Sequence, residues 1–457
     1  MNRGYMNRFE VESIAETILG MAGSKCGVLG ADVMYFFAES HSLSLLDGAP
    51  EENSYGVSGG IAVRVIGRDG RQGVAYGNDF SRSSICDMVE WSHANCLASE
   101  PDEGVSLYDG PVPGDERSLQ LYDESIARGV PSEFRMRTCM EMTAIARERD
   151  GRVVSVRSAA WSDSVAESFY ASTAGARGWK RGTAASCGVT VVLMDGESYE
   201  MGAYGHGARY MEDLDGVEYA RRSVDRTLQV LGGKPLPTGK YTLLLDPEVS
   251  ASMIDEIGDM FCASEIHKGR SLMAGRLGET VAGSCVTLVD DARLPRRMGT
   301  SSFDGEGVPT GRTVLIDSGA ASAYLYNLQH AAKDGVRSTG NAARSLASLP
   351  DVGVSNLTLA PGSESRESLI RGVGRGFLVT ELMGLHTINP VSGDFSLGAK
   401  GVVIDNGVAG APVAGVTIAG NLIEFLKKIT SVGSDLEFFG STGAPTIVAE
   451  GITVAGD

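Results

Sequence analysis

Apolar positions recur at helical spacing over residues 8–24, where Ile14, Ile18 and Met21 share one face, and this predicts an amphipathic helix. Runs rich in β-branched and aromatic residues follow at 32–38, 42–46 and 60–66, separated by glycines, and read as short strands. A helix over 81–99 carries Ile85, Val89 and Ala94 at helical spacing, before a loop rich in Pro, Gly and Asp at 101–114. The next stretch has a similar order: helices around 116–129 and 132–149, strands at 153–157, 167–172, 184–194 and 197–203, then a helix over 217–231. The order suggests a duplicated α+β unit, although no residue-level repeat accompanies it.

Gly232-Gly233-Lys234-Pro235-Leu236-Pro237-Thr238-Gly239 is the clearest boundary. Two glycines end the helix, two prolines prevent its resumption, and an apolar strand follows at 241–245. Beyond it the chain is glycine-rich, with many short strand candidates ending at 446–455. Strands and helices come in runs without regular alternation, which indicates the α+β class. The expected organisation is an N-terminal domain of helices and antiparallel sheet at 1–231, a linker at 232–239, and a mainly β domain at 240–457 built as a sheet or partial barrel.

Composition narrows the function. A chain of 457 residues buries a sizeable core without staples, and 42% hydrophobic with 21% charged residues is ordinary for a folded soluble protein. The 60 glycines have no period, which excludes a collagen-like chain and points to tight turns. A net charge of −18 without a basic stripe excludes direct nucleic-acid binding as a class. The 7 cysteines are irregularly spaced with no C-x-x-C, as expected for reduced thiols in a cytoplasmic protein. Residues 1–20 carry Glu10, Glu12 and Glu16 and lack the apolar stretch of a secretory signal. No apolar run reaches the length of about 18 residues that a membrane helix needs.

Candidate chemistry is sparse. Histidines stand at 41, 93, 206, 267, 330 and 386, too far apart for two imidazoles on one helical turn, so neither a metal nor another cofactor is expected. On the helix predicted from 248 to 262, Asp255 and Asp259 share a face that suits either a hard cation or solvent. Cys262 and His267 are five positions apart and point to different faces of a continuous helix. Gly56-Val57-Ser58-Gly59-Gly60 matches G-x-S-x-G but lacks the strand-to-helix turn that exposes a nucleophilic serine.

A series of local motifs remains. Tyr204-Gly205-His206-Gly207-Ala208-Arg209-Tyr210 comes first, then Ser302-Phe303-Asp304-Gly305-Glu306-Gly307-Val308-Pro309-Thr310 and Ser338-Thr339-Gly340-Asn341-Ala342. Thr380-Glu381-Leu382-Met383-Gly384, Asn389-Pro390-Val391-Ser392-Gly393-Asp394-Phe395-Ser396, Ile418-Ala419-Gly420-Asn421-Leu422 and Gly440-Ser441-Thr442-Gly443-Ala444-Pro445 follow. In this order they resemble the TldD/PmbA family, and most closely its PmbA (TldE) branch. The resemblance covers the whole chain and is sharpest over 200–457.

The family's TldD branch carries a His-Glu-x-x-x-His zinc motif, and here the corresponding segment reads Asp255-Glu256-Ile257-Gly258-Asp259-Met260. The resemblance therefore implies a zinc-free subunit with no catalytic residue of its own. It would form a dimer with a TldD-type, zinc-bearing member and help it take up and cleave unfolded polypeptides or peptide precursors. The family label, modulator of DNA gyrase, implies an indirect route through proteolysis. The glycine-dense loops offer backbone groups for strand addition by a peptide. His386, Asn389, Asp394, Ser441 and Thr442 are the candidate peptide-binding residues, while Asn-Pro and Ser-Gly-Asp also read as turn chemistry. Two other readings stay open: a self-contained peptidase or hydrolase with ligands distant in sequence, and a homo-oligomeric peptide-binding scaffold.

Overall fold

Helix α1 (Arg8–Gly23) starts in a capping box: Asn7 accepts from the Glu10 N–H, and the Glu10 carboxylate accepts from the Asn7 N–H. The computed structural model describes residues 6–114 and 117–457. The buried face of α1 is Val11, Ala15, Ile18 and Ala22, with Ile14 and Met21 flanking it. Two alanines in that stripe let the helix lie close on the sheet beneath.

The runs at 32–38 and 42–46 form one strand, β1 (Val28–Leu46), and 60–66 is the buried end of β2 (Ala49–Gly67). β3 (Gln72–Gly77) and α2 (Arg82–Ala98) complete the first unit, with Ile85, Met88, Val89 and Cys96 buried and Ala94 exposed. The second unit is α3 (Ser132–Arg149), β4 (Val153–Ser172), β5 (Arg177–Asp195), β6 (Ser198–Ala208) and α4 (Gly216–Val230). Between the units, the expected helix at 116–129 gives way to a 3-10 turn at Arg117–Leu119 and a single turn at Glu124–Ala127, residue 116 lying outside the described residues. The Asp123 carboxylate accepts from the Ser125 and Met211 N–H groups and ties this segment to the end of β6.

The strand order is β3-β2-β1-β4-β5-β6. β1 and β4 pair antiparallel from Asp32↔Ser172 to Leu45↔Ala159, so two helix–three-strand–helix units meet edge to edge. The helices cover one face of this sheet, over Val33, Tyr35 and Ile61 in the first unit and Trp161, Val189 and Val191 in the second. On the other face, away from the junction with the rest of the chain, small polar residues pair across strands: Ser42 with Ser54 at 2.6 Å and Ser162 with Ser186 at 2.8 Å.

After the Gly-Pro segment come β7 (Gly239–Leu245) and α5 (Pro247–Gly258), the latter capped by Asp246 with Pro247 in its first turn. β8 (Arg375–Met383), β9 (Asp394–Asp405), β10 (Val408–Asn421) and β11 (Ile447–Ala455) join β7 in the order β10-β9-β8-β7-β11. β10 also pairs with β11, from Thr417↔Ala455 to Ala419↔Thr453, so these five strands close into a barrel. Inside it, Gly401 passes so near β8 that an added Cβ would lie 1.8 Å from the Leu378 carbonyl oxygen. A smaller sheet, including Leu288–Asp291, Leu357–Leu359 and Thr442–Ala444, shares a continuous core with the barrel and α5. α5 stops at Gly258, where an added Cβ would lie 2.7 Å from Leu357 and 3.0 Å from Val354, and a 3-10 turn at Asp259–Phe261 replaces the last turn expected of the longer helix.

The two halves are joined by side chains of the Tyr-Gly-His-Gly motif. The Tyr204 hydroxyl donates to Glu437 at 2.8 Å, Arg222 donates to both, and His206 Nδ1 lies 3.1 Å from the Phe438 carbonyl.

Candidate functional site

A cavity of about 860 Å³ opens where β1, β2, β4 and β5 meet the C-terminal half. Met34, Phe36, Tyr170 and Lys180 line it from the sheet, and Phe303, Asp304, Arg344 and Ser441 line it from the other side. Beside it lies a buried charge network. Asp32 and Arg64 are register partners on β1 and β2. Arg64 Nε and Nη2 donate to Asp32 Oδ2 at 2.9 and 2.5 Å, and Nη1 donates to Gln72 at 3.1 Å and Glu306 at 3.3 Å. Arg344 Nη1 donates to Asp32 Oδ1 at 2.6 Å, and the Tyr170 hydroxyl reaches Asp32 at 3.4 Å. Burial raises the Asp32 pKa, but the Arg344 and Arg64 charges outweigh it and hold the carboxyl below its ordinary value. Glu306 has one arginine and the Leu328 N–H, so burial wins and its carboxyl shifts up.

The loop at 302–310 plugs the junction. Asp304 Oδ1 accepts from the Glu306 and Val308 N–H groups at 2.8 and 3.0 Å, and Oδ2 accepts from the Ala342 N–H at 3.0 Å. Gly307 has φ +81°, and a Cβ there would lie 2.6 Å from the Tyr170 ring, so glycine is required on both counts. Lys180 Nζ donates to Ser301 Oγ and the Phe303 carbonyl, both at 3.2 Å, and sits 4.8 Å from the Phe303 ring centroid. Burial pulls its pKa down despite the nearby charge of Asp304.

Burial and the Glu306 charge push the Asp304 carboxyl up to about 7, against its three N–H donors. The native state thus favours protonated Asp304. Its stabilisation is complete below the unfolded value of about 3.9 and is lost as pH rises through about 7. A carbon-13 titration of the folded protein is expected to give an Asp304 midpoint near 7; a midpoint near the ordinary aspartate value would mean that the backbone donors win.

The five peptide-binding candidates fall in two places. His386 lies exposed on a 3-10 turn at Leu385–Thr387. In the following loop Asn389 Oδ1 accepts from the Val391 and Ser392 N–H groups, and Asp394 accepts from Ser392 Oγ and Asn421 Nδ2. The hydrogen bonds from Asn421 and Ser392 keep the Asp394 carboxyl below its usual range. Ser441 and Thr442 lie elsewhere: Ser441 lines the cavity, while Thr442 is buried and donates to Asp255 at 2.6 Å. Cys262 is buried, and burial raises its thiol. His267 ends the short helix Ala263–His267 and bonds to His330 and Asp334. Gly56-Val57-Ser58-Gly59-Gly60 lies within β2, with no strand-to-helix turn.

Sequence reasoning missed Asp32, Arg64, Lys180 and Arg344. A signal exists for the first two: opposite charges sit within strand-like runs, Arg64 between Val63 and Val65, where alternation permits one inward-facing side chain each.

The architecture defines a bipartite α+β protein: a doubled sheet unit joined through buried ion pairs to a barrel-bearing half. Profiles of the PmbA/TldA metallopeptidase match it in sequence, domain 1 over residues 31–96, the central domain over 126–231 and the C-terminal domain over 238–456. The chain belongs to the PmbA/TldD family, whose role is peptidase-related. A metalloprotease of Methanothermobacter thermautotrophicus is 27% identical over 92% of each chain. Metalloprotease PmbA of Escherichia coli O157:H7 is 25% identical over 98% of this chain and 96% of its own. A Thermotoga maritima protein, proposed as a modulator of a DNA gyrase, superposes with a TM-score of 0.89 at 26% identity, covering 97% of this chain and all of that one.

Proposed function

We propose that this chain is a zinc-free subunit that dimerises with a TldD-type metallopeptidase in the cytoplasm and helps it take up unfolded polypeptides or peptide precursors. The division into two domains joined at 232–239 is part of this proposal. The observation that carries it is the donor set on and after α5. Asp255 accepts from the Thr442 hydroxyl, and Met260 is buried in the core, so a carboxylate and a thioether stand where the motif has its two imidazoles. Glu256 is half-buried and Asp259 exposed, and local desolvation with neighbouring acids shifts both carboxyls up. Among the described residues, no three His, Cys, Asp or Glu side chains gather into a metal-holding group. The residues present do not fit the zinc of the family's catalytic branch.

Three further facts support the reading. The small polar face of the first sheet carries a pocket of about 180 Å³ lined by Ser42, Ser44, Ser162 and Ser186. The described cysteines are free, and no helix of the described residues is long and apolar enough to cross a membrane.

The test is hydrolysis of an unfolded model protein by the purified chain alone, by a zinc-bearing family member from the same organism, and by the mixture, each with and without a chelator. Cleavage by the mixture beyond that of the zinc-bearing chain, with none by this chain alone, is the expected result. Chelator-sensitive cleavage by a clean sample of this chain would remove the reading.

A further inference from the structure

We propose that Lys180 is an amine nucleophile of the cleft cavity, placed to capture an aldehyde with an apolar chain as an imine. The site goes beyond the function proposed above and does not depend on it.

The hydrogen bonds at the amine carry the inference. Lys180 on β5 stands opposite Ser168 on β4, and both residues line the cavity. Lys180 is half-buried, so it keeps surface that a ligand can reach. Its nitrogen has two acceptors, Ser301 Oγ and the Phe303 carbonyl, each at 3.2 Å. The Ser301 hydroxyl donates its own proton to the Phe303 carbonyl at 2.6 Å, so toward Lys180 it acts only as an acceptor. A neutral amine has two N–H groups and one lone pair. The two N–H groups match the two acceptors, and the lone pair is left over. An ammonium would carry a third N–H, for which the structure offers only the face of the Phe303 ring, its centroid 4.8 Å from Nζ.

The surrounding charges agree. No carboxylate lies within ion-pair distance of Lys180 among the described residues. Lys400, also half-buried, has Glu200 at 2.7 Å and Glu381 at 3.4 Å. Arg209 adds a second cation near Lys180, and its guanidinium donates to the carbonyls of Thr183, Arg297 and Met298. A guanidinium keeps its proton inside proteins, so the lysine is the member of this pair that becomes neutral. Burial lowers the Lys180 pKa, the Asp304 charge raises it, and the Arg209 charge lowers it, with a net fall. A lysine stripped of water beside another cation is the setting in which an amine attacks carbonyl groups near neutral pH.

The cavity selects the chain that follows the carbonyl. Met34, Phe36, Phe169 and Phe303 give it apolar walls, and Asp304 in the same lining disfavours an anionic aldehyde. In the reaction the Nζ lone pair adds to the carbonyl carbon and the carbonyl π pair moves to oxygen. Both amine hydrogens then leave with that oxygen as one water, and C=N replaces C=O. Nothing is oxidised or reduced, so no further reactant is needed.

The experiment exposes the full chain at pH 7 to hexanal, or to glyoxylate, with sodium cyanoborohydride, which reduces an imine to a stable secondary amine. Alkylation is then followed lysine by lysine by peptide mass spectrometry. Lys234 and Lys240, both exposed, are the internal references. Hexanal is expected to mark Lys180 at least about tenfold faster than either, a modest ratio for a desolvated lysine. The advantage is expected to vanish above about pH 10.5, where exposed lysines are neutral as well. Lys180→Met is expected to remove the mark and leave the rates at Lys234 and Lys240 unchanged; if that variant fails to fold, the rates in the unaltered chain decide. Marking of Lys180 no faster than the references, or only after unfolding in urea, would overturn the site. Faster marking of Lys180 by glyoxylate than by hexanal would overturn the apolar aldehyde as its ligand.

Discussion

Arg64→Met is expected to destabilise the protein by about 3–5 kcal/mol, the range for removing one partner from a buried ion pair. Arg64 is fully buried and serves Asp32, Glu306 and Gln72 at once. Methionine fills much of the volume but leaves Asp32 with Arg344 and the Tyr170 hydroxyl, and Glu306 with one backbone donor. The loss should appear as a lower denaturant midpoint and faster amide exchange in β1 and β2. The informative control is Arg149→Met. Arg149 and Asp225 form an equally well-aligned two-bond pair, but both are about half exposed, and water replaces what is lost. Similar changes in the two variants would mean that burial does not set the strength of the Arg64 network.

Phe261→Ala is expected to cost about 3–5 kcal/mol, because a cavity opens where the structure has little freedom to collapse. Phe261 is fully buried at the end of the 3-10 turn after α5, and its carbonyl accepts from the Leu325 N–H at 2.9 Å. Barrel strands and the smaller sheet contribute to the same core, so repacking one side disturbs the other. Phe9, exposed on α1, provides the comparison: Phe9→Ala should leave the melting temperature nearly unchanged. A small effect at Phe261 would show that the core around α5 is loosely packed.

Much of this architecture was legible in the pattern of residues, and the misses have identifiable causes. Helix and strand positions in both units follow from periodicity, since each element has one buried face. On α1 the large residues Ile14 and Met21 suggested a stripe centred beside the true one, because a helix pressed on a sheet favours alanine where backbones approach. On β1 the polar positions 39–41 seemed to divide two strands, yet cross-strand partners on both sides keep the backbone extended. Barrel closure depends on β10 finding β11, a pairing that no local pattern encodes. The cavity was hidden for the same reason: Arg344 and Asp32 stand 312 positions apart. The glycine-rich motifs were visible as a series, but their chemistry was not. Asp304 and Glu306 look like turn residues in sequence and prove to be buried carboxyls at a junction.

The place of β7 in the barrel bears on how the protein is made. β7 lies between β8, with which it runs parallel, and β11, with which it pairs antiparallel from Ile447↔Leu245 to Val454↔Gly239. It is the first barrel strand to leave the ribosome, and one of its two neighbours is the last. The doubled N-terminal sheet can assemble while synthesis continues, whereas β7 can pair on one edge once β8 is made, and its other edge at Leu243 and Leu245 stays open until β11 is translated. A nascent chain with so long a vigil is a natural client for a holding chaperone, and a ribosome stalled before β11 would release a folded front half trailing an open, aggregation-prone barrel.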